Sequence, residues 1–173
     1  MSSAVVSPAG TGAIEVLRLQ AQAIQRALRM NTEGLTQEDS LVQPQPGGNC
    51  MNWVVGHLVW VNNQILPLTG QQPVNGADAL KQYERGSQAL KDPAAAMPLS
   101  ELLGAWDEQC SRLDAGLAAL PLERLEQPAP FSPRKNPEET VGSLLSILLF
   151  HQAYHSGQTG LLRRLVGREG AFK

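Results

Sequence analysis

The stretch TVGSLLSILLFHQAYHSGQTGLLRRLVG, residues 140–167, decides how this sequence is interpreted. Its apolar residues recur at three- and four-residue spacings, which predicts one long helix from Thr140 to Val166. Threonine suits the N-cap, and the glycine after the last turn is a common helix end. His151 and His155 stand four residues apart on the apolar face, so we expect both imidazoles to point into the protein.

Three further segments carry the same helical periodicity, and no alternating, strand-like run bounded by turn residues accompanies them. The predicted helices run from Ala13 to Met30, from Asn49 to Leu66 and from Ser100 to Leu120. The connection between the second and third of these, residues 67–99, is long. These features predict an all-α fold: a single four-helix-bundle domain over residues 1–173 with at least one long crossover connection.

The composition excludes several classes of protein. The 173 residues carry 14 Lys and Arg against 16 Asp and Glu, a formal net charge of -2 that argues against a basic nucleic-acid binder. Cys50 and Cys110 are too few for a disulfide framework or a thiolate metal cluster. The most apolar run, Val141 to Phe150, is half of the ~20 residues that a membrane helix needs, and the first residues lack a secretory pattern. We therefore expect a cytoplasmic protein whose partners include neither nucleic acid nor a membrane.

The third histidine of the chain, His57, lies on the predicted second helix between Trp53 and Trp60, on an inward stripe. Burial of three imidazoles requires hydrogen-bond partners or a metal ion. Three neutral histidines suit a divalent ion such as zinc, nickel, iron, cobalt or manganese and leave positions open for water or substrate. The alternative is that His57 is an ordinary core histidine and that any metal is bound by the helix-four pair alone.

Two neighbours of that pair are candidates for supporting a bound ion. Gln158 lies three residues after His155 and could orient this ligand, or it could satisfy a nearby backbone group. Tyr154 could donate a proton to a substrate, or it could be a half-buried packing residue. Neither histidine-bearing stripe contains Asp or Glu, so a carboxylate base of the HExxH type is not indicated, and no catalytic residue is assigned.

Other features of the long helix have ordinary interpretations. Gly157 in mid-helix costs about 1 kcal/mol relative to alanine, and we interpret it as permitting close helix packing. Three arginines near the helix end could steer an anionic substrate, but cations there also complement the helix dipole, and a solvated helix end is the simpler interpretation. They are Arg163, Arg164 and Arg168.

The residues quoted above resemble the DinB-like family of four-helix-bundle metalloproteins over nearly the whole chain. The family's HxxxHxGQ core matches four positions of the long helix: His151, His155, Gly157 and Gln158. The segment NWVVGHLVW, residues 52–60, resembles the family's second-helix segment and matches its first ligand at His57. The resemblance implies an up-down-down-up bundle with a long crossover between helices two and three. It also implies a homodimer and a divalent metal, zinc or nickel, held by His57, His151 and His155.

The resemblance further implies a class of activity. Known members of the wider superfamily depend on thiols: they are transferases that use bacillithiol, mycothiol or glutathione, and a mycothiol-dependent maleylpyruvate isomerase. We therefore expect a metal-dependent enzyme that transfers a low-molecular-weight thiol to a small electrophilic substrate. A metal-dependent hydrolase and a non-catalytic metal-binding or stress-response bundle are the alternatives. An open coordination position would favour the enzymes, whereas a fourth protein ligand would favour the structural role.

Overall fold

The computed structural model describes residues 12–74, 76–90 and 92–172. Within these ranges it contains no strand, apart from an isolated bridge between Pro128 and Thr140. The helices are α1 (Ala13–Thr32), α2 (Gln37–Leu41), α3 (Met51–Ile65), α4 (Leu99–Ala119) and α5 (Val141–Leu165). The connections add four 3₁₀-helices: Leu66–Thr69, Ala77–Tyr83, Pro93–Ala95 and Leu122–Glu126. The all-α prediction and its four long helices are confirmed.

Both ends of α5 follow the capping signals of its sequence. The Thr140 side chain accepts a hydrogen bond from the Ser143 N–H, and the Ser143 side chain returns one to the Thr140 N–H, which forms a capping box for α5. Gly167 has a positive φ of 76°, the left-handed conformation that glycine adopts at low cost. The sequence analysis missed α2, a short helix with its own capping box between Thr36 and Asp39.

Side-chain contacts give the relative directions of α1 and α4. Arg18 pairs with Asp114 at 3.1 Å, and Arg29 pairs with Asp107 at 3.1 Å. The later residue of α1 therefore pairs with the earlier residue of α4, so the two helices are antiparallel.

Helix α3 runs parallel to α4. Asn52 donates to the carbonyl of Met97 just before α4 begins, and Gln109 of α4 donates to the carbonyl of Val59 in α3. Helices α3 and α5 are antiparallel, since His57 faces His155 and Asn62 pairs with Gln152.

These directions make α5 parallel to α1 and give the bundle its up-down-down-up order. Both α1 and α3 pack against α4 and α5. Because α3 and α4 are parallel, the chain must return along the bundle between them, and residues 66–98 form this crossover. Twelve of the 15 residues of α3 are buried, since α4, α5 and the crossover surround it.

None of the described helices combines the length and the apolar character needed to cross a membrane.

Candidate metal centre

The three histidines meet where α3 packs against α5. The Nε2 atoms of His57 and His151 lie 3.4 Å apart, and those of His151 and His155 lie 3.1 Å apart. One ligand nitrogen from each residue lies within 4.8 Å of the other two. Nitrogens bound tetrahedrally to zinc at about 2.0–2.1 Å stand about 3.3–3.4 Å from one another. The two short separations are therefore close to the edge length of a zinc site.

Hydrogen bonds on the far side of two rings select their tautomers. The Nδ1–H of His57 donates to the backbone carbonyl of Tyr83 at 2.7 Å, and the Nδ1–H of His155 donates to Oε1 of Gln158 at 2.6 Å. A neutral imidazole carries one proton, so both Nε2 atoms present lone pairs to the centre. An oxygen acceptor behind the ring is the usual arrangement around histidine-bound metals, and His57 and His155 both have one.

His151 lies between these two lone pairs. Its Nδ1 is buried and has no hydrogen-bond partner among the described residues. If its Nε2 carries the proton, that proton can be donated well to only one of the two neighbouring Nε2 atoms, which leaves the other lone pair unsatisfied. A cation among the three nitrogens would accept all three lone pairs, so the residues present fit a divalent metal ion.

The electrostatics keep the imidazoles neutral. Burial lowers the pKa of His57, and the nearby charges of His155 and Arg85 lower it further, while the Tyr83 carbonyl opposes them. Burial, followed by its two histidine neighbours, lowers the pKa of His151 to about 4. Burial also lowers the pKa of His155. Neutral imidazole is the form that binds metals, so the cluster needs no deprotonation at pH 7.

The ring of His57 is held between two tryptophans. Its centroid lies 4.8 Å from that of Trp53 and 5.7 Å from that of Trp60, with interplanar angles of 13° and 16°. His57 is 3% exposed. This stacking, together with the Tyr83 carbonyl, restricts both the position and the rotation of the ring and directs Nε2 at α5.

The crossover reaches His57 because α3 has a glycine one residue earlier. A Cβ at Gly56 would lie 2.5 Å from two ring carbons of Tyr83, so only glycine lets this ring pack against α3. The Tyr83 hydroxyl donates to Oδ1 of Asn52 and accepts from the N–H of Met97. These contacts hold the Tyr83 carbonyl against His57.

All three histidines line a cavity of about 1130 Å³. Its walls come from α3 and α5, from Arg85 and Gly86 of the crossover, and from the connections before α3 and before α5. No further His, Cys, Asp or Glu joins the three histidines in the described part of the chain. The cluster therefore combines three candidate ligands with access to a large open space.

The two supporting candidates have different surroundings. Gln158 accepts the hydrogen bond from His155 Nδ1, which is the orienting contact expected of it. Tyr154 is 61% exposed, and its ring meets that of His155 edge-on at a centroid distance of 5.4 Å. It lies at the cavity edge, so the half-buried packing role does not describe it.

One interpretation of the long helix needs correction, and the alternative role considered for its arginines gains no support. A Cβ at Gly157 would meet no atom within 4 Å, so close helix packing does not explain this glycine. Arg163 donates to the carbonyls of Asn31 and Glu33, and Arg168 pairs with Asp39. Neither these two arginines nor Arg164 lines the cavity, so the anion-steering role does not fall to them.

Sequence reasoning missed the contributions of the crossover. The backbone carbonyl of Tyr83 orients His57, and Arg85 lines the cavity. A backbone group has no residue-type signature, and an arginine in a connection resembles any solvated charge. The glycine before His57 was the available signal, because a buried mid-helix glycine marks a place where another segment approaches closely.

Comparisons with known proteins agree with this architecture. A crystal structure of a conserved protein from Enterococcus faecalis aligns with a TM-score of 0.67 over 92% of this chain and 98% of that chain, at 16% sequence identity. At this identity the likeness establishes the fold alone. No curated protein matches the sequence.

The family comparison covers the whole site. The family model described as the DinB superfamily matches residues 20–159, a span that contains all three histidines and most of the bundle. The chain belongs to the DinB superfamily.

Proposed function

We propose that this protein is a divalent-metal-dependent enzyme that transfers a low-molecular-weight thiol to a small electrophilic molecule. The observation that carries the proposal is the cluster of three neutral imidazoles in the wall of an open cavity, with no further described His, Cys, Asp or Glu beside it. Three protein ligands with an open position are typical of catalytic sites, whereas structural zinc sites have four. This observation favours an enzyme over a purely structural metal site.

The proposed ligands are His57, His151 and His155, and zinc or nickel is the proposed ion. A divalent cation held there supplies positive charge that lowers the pKa of a thiol or a water molecule brought against it. The chain itself contributes the orientation of the ligands: Tyr83 and Gln158 accept the Nδ1 protons of two of them. Burial favours the neutral form of the three rings, which is the form that binds a metal ion.

The proposed reaction balances without a redox partner. The thiol loses its proton to solvent, and its sulfur forms a bond to the electrophilic carbon. The leaving group departs with the electron pair of the broken bond and takes up a proton. Tyr154, exposed at the cavity edge beside His155, is the proposed donor of this proton.

A hydrolase is the second candidate function, since the same site could present water in place of the thiol. The cavity volume of about 1130 Å³ has room for a small substrate together with either a thiol or a water molecule, so it is compatible with both reactions. The cytoplasm is the proposed location, because small reduced thiols and two free cysteines suit a reducing compartment.

Metal analysis and thiol consumption test the proposal together. Untagged protein is expected to retain about one divalent ion per chain and, with zinc or nickel restored, to consume glutathione in the presence of 1-chloro-2,4-dinitrobenzene. The chelated protein is the matched control and should be inactive. Hydrolysis of p-nitrophenyl acetate without thiol consumption would favour the hydrolase, and tight metal binding without either activity would favour the structural role.

A homodimer is the proposed assembly. Four apolar side chains follow one another along α5, each between 48% and 68% exposed, and the first three also border the cavity: Phe150, Tyr154, Leu161 and Leu165. An exposed apolar strip of this kind is a common feature of interaction surfaces. Sedimentation at micromolar concentration is expected to give a dimer, and a clean monomer would contradict this proposal.

A further inference from the structure

The cavity beside the histidines collects the aromatic residues of the chain. Aromatic residues make up only 5% of the sequence, eight in total, and all of them are described. Five of the eight line this cavity: Trp53, Trp60, Phe131, Phe150 and Tyr154. The bundle core is instead filled mainly by leucine and valine. The concentration of rings at one open surface suits an apolar ligand with an aromatic body.

The charge of the cavity has one sign. The chain as a whole carries more acidic than basic residues, yet no Asp or Glu occurs among the described lining residues. The charged side chains there are those of Arg85 and Arg134. Arginines without a neighbouring carboxylate in the lining favour an anionic ligand in the cavity.

The two arginines differ in how their charge is balanced. Arg134 forms an ion pair with Glu139 at 2.7 Å. Arg85 has no hydrogen bond or ion pair with any described residue, and it is exposed. Arg85 therefore retains its full set of guanidinium donors for a ligand.

The position of Arg85 relative to the histidines is set by the crossover. It follows Tyr83 by two residues, and the Tyr83 carbonyl hydrogen-bonds to His57. Arg85 lines the same cavity as all three histidines. A ligand anion bound by Arg85 would thus leave the rest of the ligand beside the histidine cluster.

We propose that Arg85 determines specificity by binding the carboxylate of a small, aromatic-bodied molecule in this cavity. The guanidinium fork matches the two oxygens of a carboxylate, and one unbalanced cation suits a singly charged group better than a phosphate. This inference rests on the proposed function, because it names the substrate class of the same site.

Binding of a matched pair of probes tests the inference. The probes are 1-naphthoate and its neutral carboxamide, 1-naphthamide, titrated by calorimetry into zinc-supplemented and into chelator-treated protein. The variants are Arg85→Gln and Arg26→Gln. Arg26 is the control because it is an exposed arginine of α1 that lies outside the cavity, so its replacement changes the net charge equally.

Wild-type protein is expected to bind naphthoate about tenfold more tightly than naphthamide in both states, as one charge-assisted pair allows. Arg85→Gln should remove this preference through weaker naphthoate binding, with naphthamide affinity changed less than about twofold. Arg26→Gln should keep the preference, and unchanged thermal unfolding of Arg85→Gln would verify its fold.

Equal binding of the two probes, no binding of naphthoate, or an undiminished preference in Arg85→Gln would overturn the inference. A preference seen only with zinc would place the carboxylate at the metal and overturn it as well. Because the chelated protein is measured too, these outcomes are separate from a failure of thiol transfer, which would contradict the proposed function instead.

Discussion

Replacement of Gly56 by alanine tests whether the crossover positions His57. The added Cβ would lie 2.5 Å from two ring carbons of Tyr83 and 2.7 Å from a third. The fully buried ring has little room to move, because its hydroxyl is bonded to Asn52 and to the backbone of Met97. The ring must shift, and the backbone carbonyl that accepts the His57 proton should shift with it.

The magnitude follows from two opposing contributions. Overpacking a buried site costs about 1–3 kcal/mol of the free energy of unfolding, and alanine in place of helical glycine returns up to about 1 kcal/mol. We expect a net destabilisation of about 1–2 kcal/mol, or about 3–6 °C in Tm for a domain of this size. Loss of the acceptor behind His57 should weaken zinc binding by about 10–100-fold.

Gly104→Ala is the matched control. Gly104 lies inside α4, and a Cβ there would meet no atom within 4 Å, so the alanine should stabilise the protein by about 0.5–1 kcal/mol without affecting zinc. Urea unfolding of the chelated proteins measures stability, and competition with a chromophoric chelator measures zinc affinity. If Gly56→Ala is as stable as Gly104→Ala and binds zinc as wild type does, the proposed coupling of Tyr83 to His57 is refuted.

Three further outcomes are expected. His57→Gln should fold but lose zinc affinity by more than about 100-fold, together with most of the zinc-induced rise in Tm; a variant that holds zinc as tightly as wild type would remove α3 from the site. Hydrogen bonds from Ser143, Arg134 and Ser132 hold the pKa of Glu139 at about 2. This carboxylate therefore stabilises the fold fully above pH 4.5, and the stabilisation is lost as pH falls through 2. Glu139→Gln should therefore destabilise the protein at pH 7, with the deficit in urea unfolding shrinking below pH 4.5; a constant deficit would contradict this. Gly157→Ala should leave stability unchanged or raise it by up to about 1 kcal/mol in the same assay, because nothing occupies the space that its Cβ enters.

The surroundings of the two cysteines suit packing residues rather than nucleophiles. Both Cys50 and Cys110 are free and buried. Burial, with the charge of Asp107 adding to it, raises the pKa of the Cys110 thiol far above its ordinary value. At neutral pH this thiol is protonated and a poor nucleophile. Neither buried cysteine lines the cavity, so a thiol for the proposed reaction has to come from a cosubstrate.

The sequence by itself determined the features that depend on neighbours along one helix. The four long helices and the cap at Thr140 follow from residues within a few positions of each other. The shared face of His151 and His155 follows in the same way, because four residues make about one turn. The inward orientation of His57 was predictable from the apolar stripe around it, but its hydrogen bond to the carbonyl of Tyr83 was not.

Only the tertiary structure decided which distant groups meet. His57 is separated by 26 residues from Tyr83 and by 94 residues from His151, so helix packing and the path of the crossover bring these groups together. The carbonyl of Tyr83 carries no side-chain signature, and whether Arg85 faces a cavity or bulk water depends on that path. Local periodicity specifies each helix and its buried face, whereas the contents of a site between helices depend on how those faces pack.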